Sequence, residues 1–339
     1  MGIAAYPSPV LPVDWSGSHP PLTGEPSADP EAQPESMVVQ MGSGERIHYL
    51  DWGVPAESGP TVLLVHGIAS TGWSWSAVAR RMHRRVRVLA PDLRGHGLSE
   101  GARSGLDLES MAWDALTVLA ANGVGQEVGG PPAVIAGHGL GAMVAATAAR
   151  LQPASVSGLA LVDGGWEDLG LSMRMSPGEF LAGIGEPPEV LASMDAFLAD
   201  RCDFDPDSWD ADQERAARAQ VDQKHAGHVG MVTRQATMRG LVEAMFGYRP
   251  VETLAATPAR LLVLVAGSGT ADDEVARERE LALEDVLAAR MAARLSEARV
   301  VRLPGTGHNL MRYRPGALGA ELLALTGIEA APLSPDRGR

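Results

Sequence analysis

The chain has a single cysteine, Cys202, in 339 residues. No internal disulfide and no thiolate metal cluster can form, which suits a reducing compartment, so cytoplasmic residence is the expectation. Basic residues are scarce as well: 28 Lys and Arg stand against 42 Asp and Glu, giving a formal charge of −14 and a pI near 5.1. A surface of that sign repels phosphate backbones and anionic bilayers, so neither nucleic acid nor a membrane is expected as a partner. A basic-then-apolar start of the signal-peptide type is also missing. Pro7, Pro9, Pro12, Pro20, Pro21, Pro26, Pro30 and Pro34 are instead scattered through residues 1–36. That stretch reads as a flexible leader with too little apolar surface to order itself, a docking segment being the other reading. There is no Walker loop and no repeat at solenoid spacing, and no cofactor is implied.

From Met37 the character changes. Met37-Val38-Val39-Gln40-Met41 and Arg46-Ile47-His48-Tyr49-Leu50 flank Gly42-Ser43-Gly44, which reads as a β-hairpin. Thr61-Val62-Leu63-Leu64-Val65 follows, an apolar run without alternation, which points to a strand covered on both faces. Similar strands are read at Val86 to Ala90, Ala133 to Ala136, Gly158 to Asp163, Leu261 to Ala266 and Val300 to Leu303. Helical stretches near Trp73 to Met82, Leu106 to Ala121 and Leu140 to Leu151 separate them, so the fold class is α/β with a mostly parallel, doubly wound open sheet. Between Trp166 and Pro250 no strand signal is visible, and Glu189 to Ala199 and Ala211 to Phe246 read as helical. A helical cap at 166–250, inserted after the sixth strand, is therefore expected to lean on a core formed by 37–165 and 251–327, with a flexible tail at 328–339.

Open parallel sheets bind ligands at the carboxyl ends of their strands. Four such turns stand out: His66-Gly67-Ile68-Ala69, Pro91-Asp92-Leu93-Arg94-Gly95-His96-Gly97-Leu98-Ser99, Gly137-His138-Gly139-Leu140-Gly141, and Pro304-Gly305-Thr306-Gly307-His308. In this order they resemble the α/β-hydrolase superfamily over residues 37 to 327. That superfamily includes esterases, lipases, epoxide hydrolases, dehalogenases, C–C hydrolases and some cofactor-independent lyases.

The resemblance assigns roles residue by residue. Gly137 to Gly141 matches the nucleophile elbow G-x-S-x-G, but glycine, Gly139, occupies the nucleophile position. Gly97-Leu98-Ser99-Glu100-Gly101 fits the same letters without a strand leading in or a helix leading out, so Ser99 reads as part of an ordinary site-shaping loop. His138 reads as a packing residue turned away from the site. His308 matches the catalytic histidine, whose imidazole suits general-base work. Its acid partner is either Asp163, at the end of strand six, or Asp272, after strand seven, with Asp273 behind them. Ile68 and Leu140 would supply the two oxyanion N–H donors, and these survive loss of the serine because they belong to the backbone. Cys202 lies among acidic residues of the cap, a setting unsuited to nucleophilic duty. Trp73, Trp75, Trp166, Phe180 and Trp209 are candidates to line an apolar pocket, with ordinary cap-to-core packing an equal reading for most of them, and Arg80-Arg81 with Arg84-Arg85 reads as a solvated helix face.

Acyl-enzyme chemistry at residue 139 is excluded because glycine carries no nucleophile. Three readings remain: an enzyme in which His308 acts directly on water or on a small, largely apolar carbonyl or ester-like substrate; a binding protein that keeps the pocket for a small ligand; and a nucleophile-lacking form of a serine esterase.

Overall fold

The computed structural model describes residues 26–53, 59–101, 104–223, 227–267, 274–296 and 298–328. Its strands are β1 (Glu35–Gln40), β2 (Arg46–Asp51), β3 (Thr61–Val65), β4 (Arg87–Pro91), β5 (Ala133–His138), β6 (Val156–Val162), β7 (Val221–Gln223), β8 (Val229–Met231), β9 (Arg260–Gly267) and β10 (Arg299–Pro304). The helices of the first half are α1 (Ser76–Met82), α2 (Leu108–Ala121), α3 (Leu140–Leu151), α4 (Leu169–Ser172), α5 (Pro177–Gly183) and α6 (Met194–Phe204). Those of the second half are α7 (Ala211–Arg218), α8 (Gln235–Phe246), α9 (Pro250–Ala255), α10 (Glu274–Ala292), α11 (Leu310–Tyr313) and α12 (Pro315–Thr326).

Eight strands form one sheet in the order β1-β2-β4-β3-β5-β6-β9-β10. The pairings from β4 through β10 are parallel, and only β1 with β2 and β2 with β4 are antiparallel among them. The two-residue period of a strand sends alternate side chains to opposite faces. Leu63, Val65, Ile135, Leu159, Leu161 and Val263 join one core with residues of α2, α3, α9 and α10. Val62, Leu64, Val134, Ala136, Ala160 and Leu262 join the other with residues of α1 and α12. Both faces are thus covered, which is why these strands read as unbroken apolar runs. The expected α/β doubly wound sheet is present.

The region 166–250 departs from the expectation of helices alone. The stretch Ala211 to Phe246 is not one helix: α7 and α8 are separated by the antiparallel ribbon β7–β8. Val221 and Val229 of that ribbon pack with Val190, Phe197 and Ala217 in a small core of their own. Strands of three residues are too short to display a period, so the sequence gives no sign of them.

The leader also differs from a free tail where it is described. Residues 26–33 lie along α1, with Asp29 paired to Arg84 and His83, and Glu35–Ser36 already belong to β1. The guanidinium of Arg80 donates to the carbonyls of Asp29, Pro30 and Ala32 and pairs with Asp212 of α7. Arg80 is therefore buried and not a solvated side chain, because backbone carbonyls and a carboxylate replace its water. Residues 1–25 of the leader and 329–339 of the tail lie outside the described residues. Among the described residues no helix is long and apolar enough to cross a membrane.

Candidate active site

β5 runs straight into the elbow and α3 runs straight out of it. Gly139 holds the turn with φ +53° and ψ −116°, a conformation in which side chains are strained. The outer glycines are required for a different reason. A Cβ on Gly137 would strike the carbonyl of Gly141, and one on Gly141 would strike the carbonyls of Val65 and His66. Gly164, just past β6, is equally constrained, since its Cβ would come within 2.9 Å of the Gly139 Cα.

Gly139 faces His308. A Cβ built on Gly139 would lie 3.7 Å from His308 Nε2 and 4.0 Å from the Gly67 Cα. His308, in the loop after β10, donates its Nδ1 proton to Oδ2 of Asp163 at 2.6 Å. With Nδ1 so engaged, a neutral imidazole turns the Nε2 lone pair toward residue 139. Of the two acids left open by the sequence, Asp163 is the one brought to His308, while Asp272 and Asp273 lie outside the described residues.

Asp163 follows β6 with φ +44° and is 2 % exposed. Its Oδ1 accepts from the Ala266 N–H and from Arg279 Nη2, both at 2.9 Å. Burial opposes its ionisation, but the His308 hydrogen bond, the Arg279 charge and the Ala266 N–H outweigh it and take the carboxyl down to about 2. Arg279, on α10, also pairs with Glu167 at 2.6 Å and lies over the Trp166 ring. It is a site residue that the sequence reading missed, as α10 is dense in charges and nothing marks the one that turns inward.

The loop bearing Ile68 is held by two buried histidines. His66 donates to the Gly67 carbonyl and accepts the Leu93 N–H, and His96 Nε2 accepts the Ala69 N–H. Burial lowers both, His96 to about 3, so each is a neutral strut. Leu140 is the first residue of α3, and among the described residues neither its N–H nor that of Ile68 has an acceptor. Both are therefore open backbone donors.

His138 is not turned away from His308. The rings stack with centroids 4.3 Å apart, and His138 Nε2 donates to the His308 carbonyl at 3.0 Å. Burial, then repulsion by His308, lowers His138 to about 3. Ser99 is buried in its loop, accepting the His48 N–H and donating to the Asp92 carbonyl, so it is fully used in holding structure. Of the five aromatics, Trp75 is wholly buried, Phe180 stacks edge-on against Phe246, and Trp73 and Trp209 lie under Arg215 and Arg312. Trp166 borders a cleft of about 250 Å³ shared with Arg279, Arg302 and Pro304. Among the described residues no group of three or more His, Cys, Asp or Glu is placed to hold a metal ion.

Known proteins resemble this chain. The chain is 33% identical over 123 residues to the magnesium-chelatase 30 kDa subunit of Rhodobacter capsulatus, covering 34% of this chain and 41% of that one. It is 35% identical over 105 residues to a soluble epoxide hydrolase of a Corynebacterium species, covering 31% and 33%. The chain thus spans roughly a third to two fifths of the length of the curated relatives it matches. The crystal structure of E-2-(acetamidomethylene)succinate hydrolase superposes with a TM-score of 0.67 at 21% identity, over 87% of this chain and 99% of that one. Likeness at that identity speaks for the fold. A model of the alpha/beta hydrolase family matches residues 62–321, the span that holds the elbow, Asp163 and His308, and the chain belongs to that family.

Proposed function

We propose that this protein is a hydrolase that uses no covalent acyl-enzyme: His308, oriented by Asp163, activates a water held above Gly139 to attack a small, largely apolar carbonyl or ester-like substrate. One observation carries the reading. The point where a residue-139 side chain would begin is 3.7 Å from Nε2, so the hydroxyl of a serine has its place open to a water oxygen. Nε2 takes the water proton as the O–C bond forms, and returns it to the leaving alcohol as the tetrahedral intermediate collapses. The N–H groups of Ile68 and Leu140 carry the oxyanion, and the N-terminus of α3 adds a favourable field.

Loss of a triad nucleophile leaves roughly 10³- to 10⁴-fold catalysis over water from binding and the oxyanion hole, so turnover is expected to be slow. The test is a panel of esters, lactones and thioesters assayed with wild type, His308→Ala and Gly139→Ser. Turnover without a burst phase in wild type, lost in His308→Ala, supports the reading. Equal residual rates in both overturn it. Ligand retention without turnover would favour a binding protein, and fluorophosphonate labelling gained only at residue 139 of Gly139→Ser would favour a nucleophile-lacking esterase.

A further inference from the structure

A second chain of serine, histidine and aspartate lies at the edge of the sheet. Ser36 Oγ of β1 is 2.7 Å from His48 Nε2 of β2, and His48 Nδ1 is 2.8 Å from Oδ2 of Asp92, which follows β4. The histidine and aspartate side chains are each 2 % exposed, while Ser36 faces solvent. Asp92 also accepts the N–H groups of Gly72 and Leu98. Burial opposes its charge, but the His48 hydrogen bond, the nearby His66 and these two N–H groups keep the carboxyl below its ordinary range. An ionised Asp92 can only accept, so Nδ1 of His48 carries the proton, and in a neutral ring the Nε2 lone pair receives the Ser36 hydroxyl. Nucleophile, base and orienting acid thus stand in sequence, with distances that suit proton transfer.

The strand register adds a donor. Met41 N–H bonds the Glu45 carbonyl, so alternate pairs along β1–β2 bond each other and those between do not. Ser36 with Leu50, and Val38 with His48, are non-bonded pairs. The His48 N–H accordingly turns away from β1, to Ser99. Among the described residues β1 has no strand on its other side, so the N–H of Ser36 points to the open edge and has no acceptor there. β1 is four strands from β5, roughly 20 Å across the sheet, which separates this group from the elbow.

We propose that Ser36 is a nucleophile in its own right, with His48 as its base and Asp92 as the group that orients the base, and that it takes acyl groups from donors with good leaving groups, such as aryl esters and thioesters. Ser36 Oγ bonds the acyl carbon as its proton passes to Nε2. The bond from that carbon to the leaving oxygen or sulfur then breaks, and the leaving group takes the proton or departs as an anion. Missing a single oxyanion donor typically costs about 10²- to 10³-fold, and among the described residues the Ser36 N–H is the one free donor assigned to this site. Transfer is therefore slow and the acyl group stays on Ser36, which makes the site an acyl acceptor rather than a turnover centre. It goes beyond the proposed hydrolase chemistry and shares no residue with it.

The test is incubation of the full chain with p-nitrophenyl acetate at neutral pH, followed by peptide mapping with mass spectrometry. General-base help of about a hundredfold is expected to acetylate Ser36 that much faster than the exposed Ser104 of the same molecules. Ser36→Ala is expected to lose that label, His48→Gln to bring residue 36 down to the Ser104 rate, and His308→Ala to leave it unchanged. Acetylation of Ser36 no faster than Ser104 in wild type overturns the proposal without reference to any variant's folding. Loss of the label in His308→Ala would overturn the independence of the two sites, while leaving the hydrolase reading in place.

Discussion

Arg279 Nη2 and the carboxylate of Asp163 meet at 2.9 Å, on the oxygen that His308 does not use. The cation is shared with Glu167, and the pair is largely out of water. Arg279→Met leaves two carboxylates without their countercharge, and breaking a buried pair from one side costs about 3–5 kcal/mol. The sign with pH follows from Asp163, whose folded value of about 2 lies below its ordinary 3.8. Its contribution is full above about pH 4 and is lost as pH falls through about 2. The groups facing it are His308, Arg279 and His138, with Glu167 beyond the guanidinium. Without Arg279 the loss is expected at higher pH, with Arg279→Lys in between. Urea unfolding from pH 2 to 7 checks this, and an acid limb unmoved in the methionine variant would contradict it.

The three elbow glycines are expected to respond differently to alanine. At Gly139 a methyl group meets nothing closer than 3.7 Å, so the cost is the strained φ of +53°, about 1–3 kcal/mol, and the fold survives. The methyl also occupies the approach to Nε2, so turnover by the proposed water route should fall to background. At Gly137 and Gly141 the methyl would collide with backbone that has nowhere to go. Those variants are expected in the insoluble fraction, whereas Gly139→Ala is soluble with a melting temperature a few degrees lower. Three expression trials and one thermal scan decide it.

What the sequence disclosed follows from how local each feature is. Thr61–Val65 and Leu140–Leu151 were legible to the residue because their own apolar patterns and bounding glycines specify them. The approach of His308 to Gly139 was legible through the turns that end β5 and β10. The pairing of His308 with Asp163 was not, since nothing in the sequence ranks Asp163 above Asp272. Arg279 and Arg80 were missed for a related reason: each is one arginine in a charged helix, and what buries it are groups 116 and 132 residues away in the cases of Asp163 and Asp212. His138, read from the sequence as a packing residue, is buried against His308, a contact that its residue type does not specify.

Three buried histidines set an acid sensitivity distinct from that of Asp163. Burial lowers His66, His96 and His138, the last two to about 3, while the unfolded chain takes up their protons near pH 6.5. Their stabilisation is complete above about pH 6.5 and declines as pH falls toward the folded values. Each can contribute a slope of up to about 1.4 kcal/mol per pH unit, and the loss begins near pH 6.5, about 2.7 units above the ordinary 3.8 of Asp163. His138→Gln is expected to reduce the slope between pH 6 and 5 by up to about 1.4 kcal/mol per pH unit, read from urea midpoints. An unchanged slope would mean that His138 takes up its proton in the folded state.

Arg80 is expected to act as the fastener between residues 29–32, α1 and α7. Its Nη1 donates to three carbonyls of residues 29–32, its Nε reaches Asp212 of α7 at 3.1 Å, and its guanidinium lies 5.4 Å from the Trp52 ring. Arg215 adds a parallel tie from α7, bonding Gln33 while lying over Trp73. Arg80→Met keeps the aliphatic contact but strands the carbonyls and the Asp212 charge, a loss of about 2 kcal/mol or more given that hydrogen bonds to charged groups are worth about 1.5–3 kcal/mol. Because the removed donor serves both the leading segment and α7, both should loosen together. Limited proteolysis is expected to cut within residues 26–34 and in the α7 region at rates that rise in parallel, with Arg81→Met as the control on the same helix. Faster cleavage at the leading segment alone would show that the α7 region is held by the small core of Phe197, Val221 and Val229 and not by this arginine.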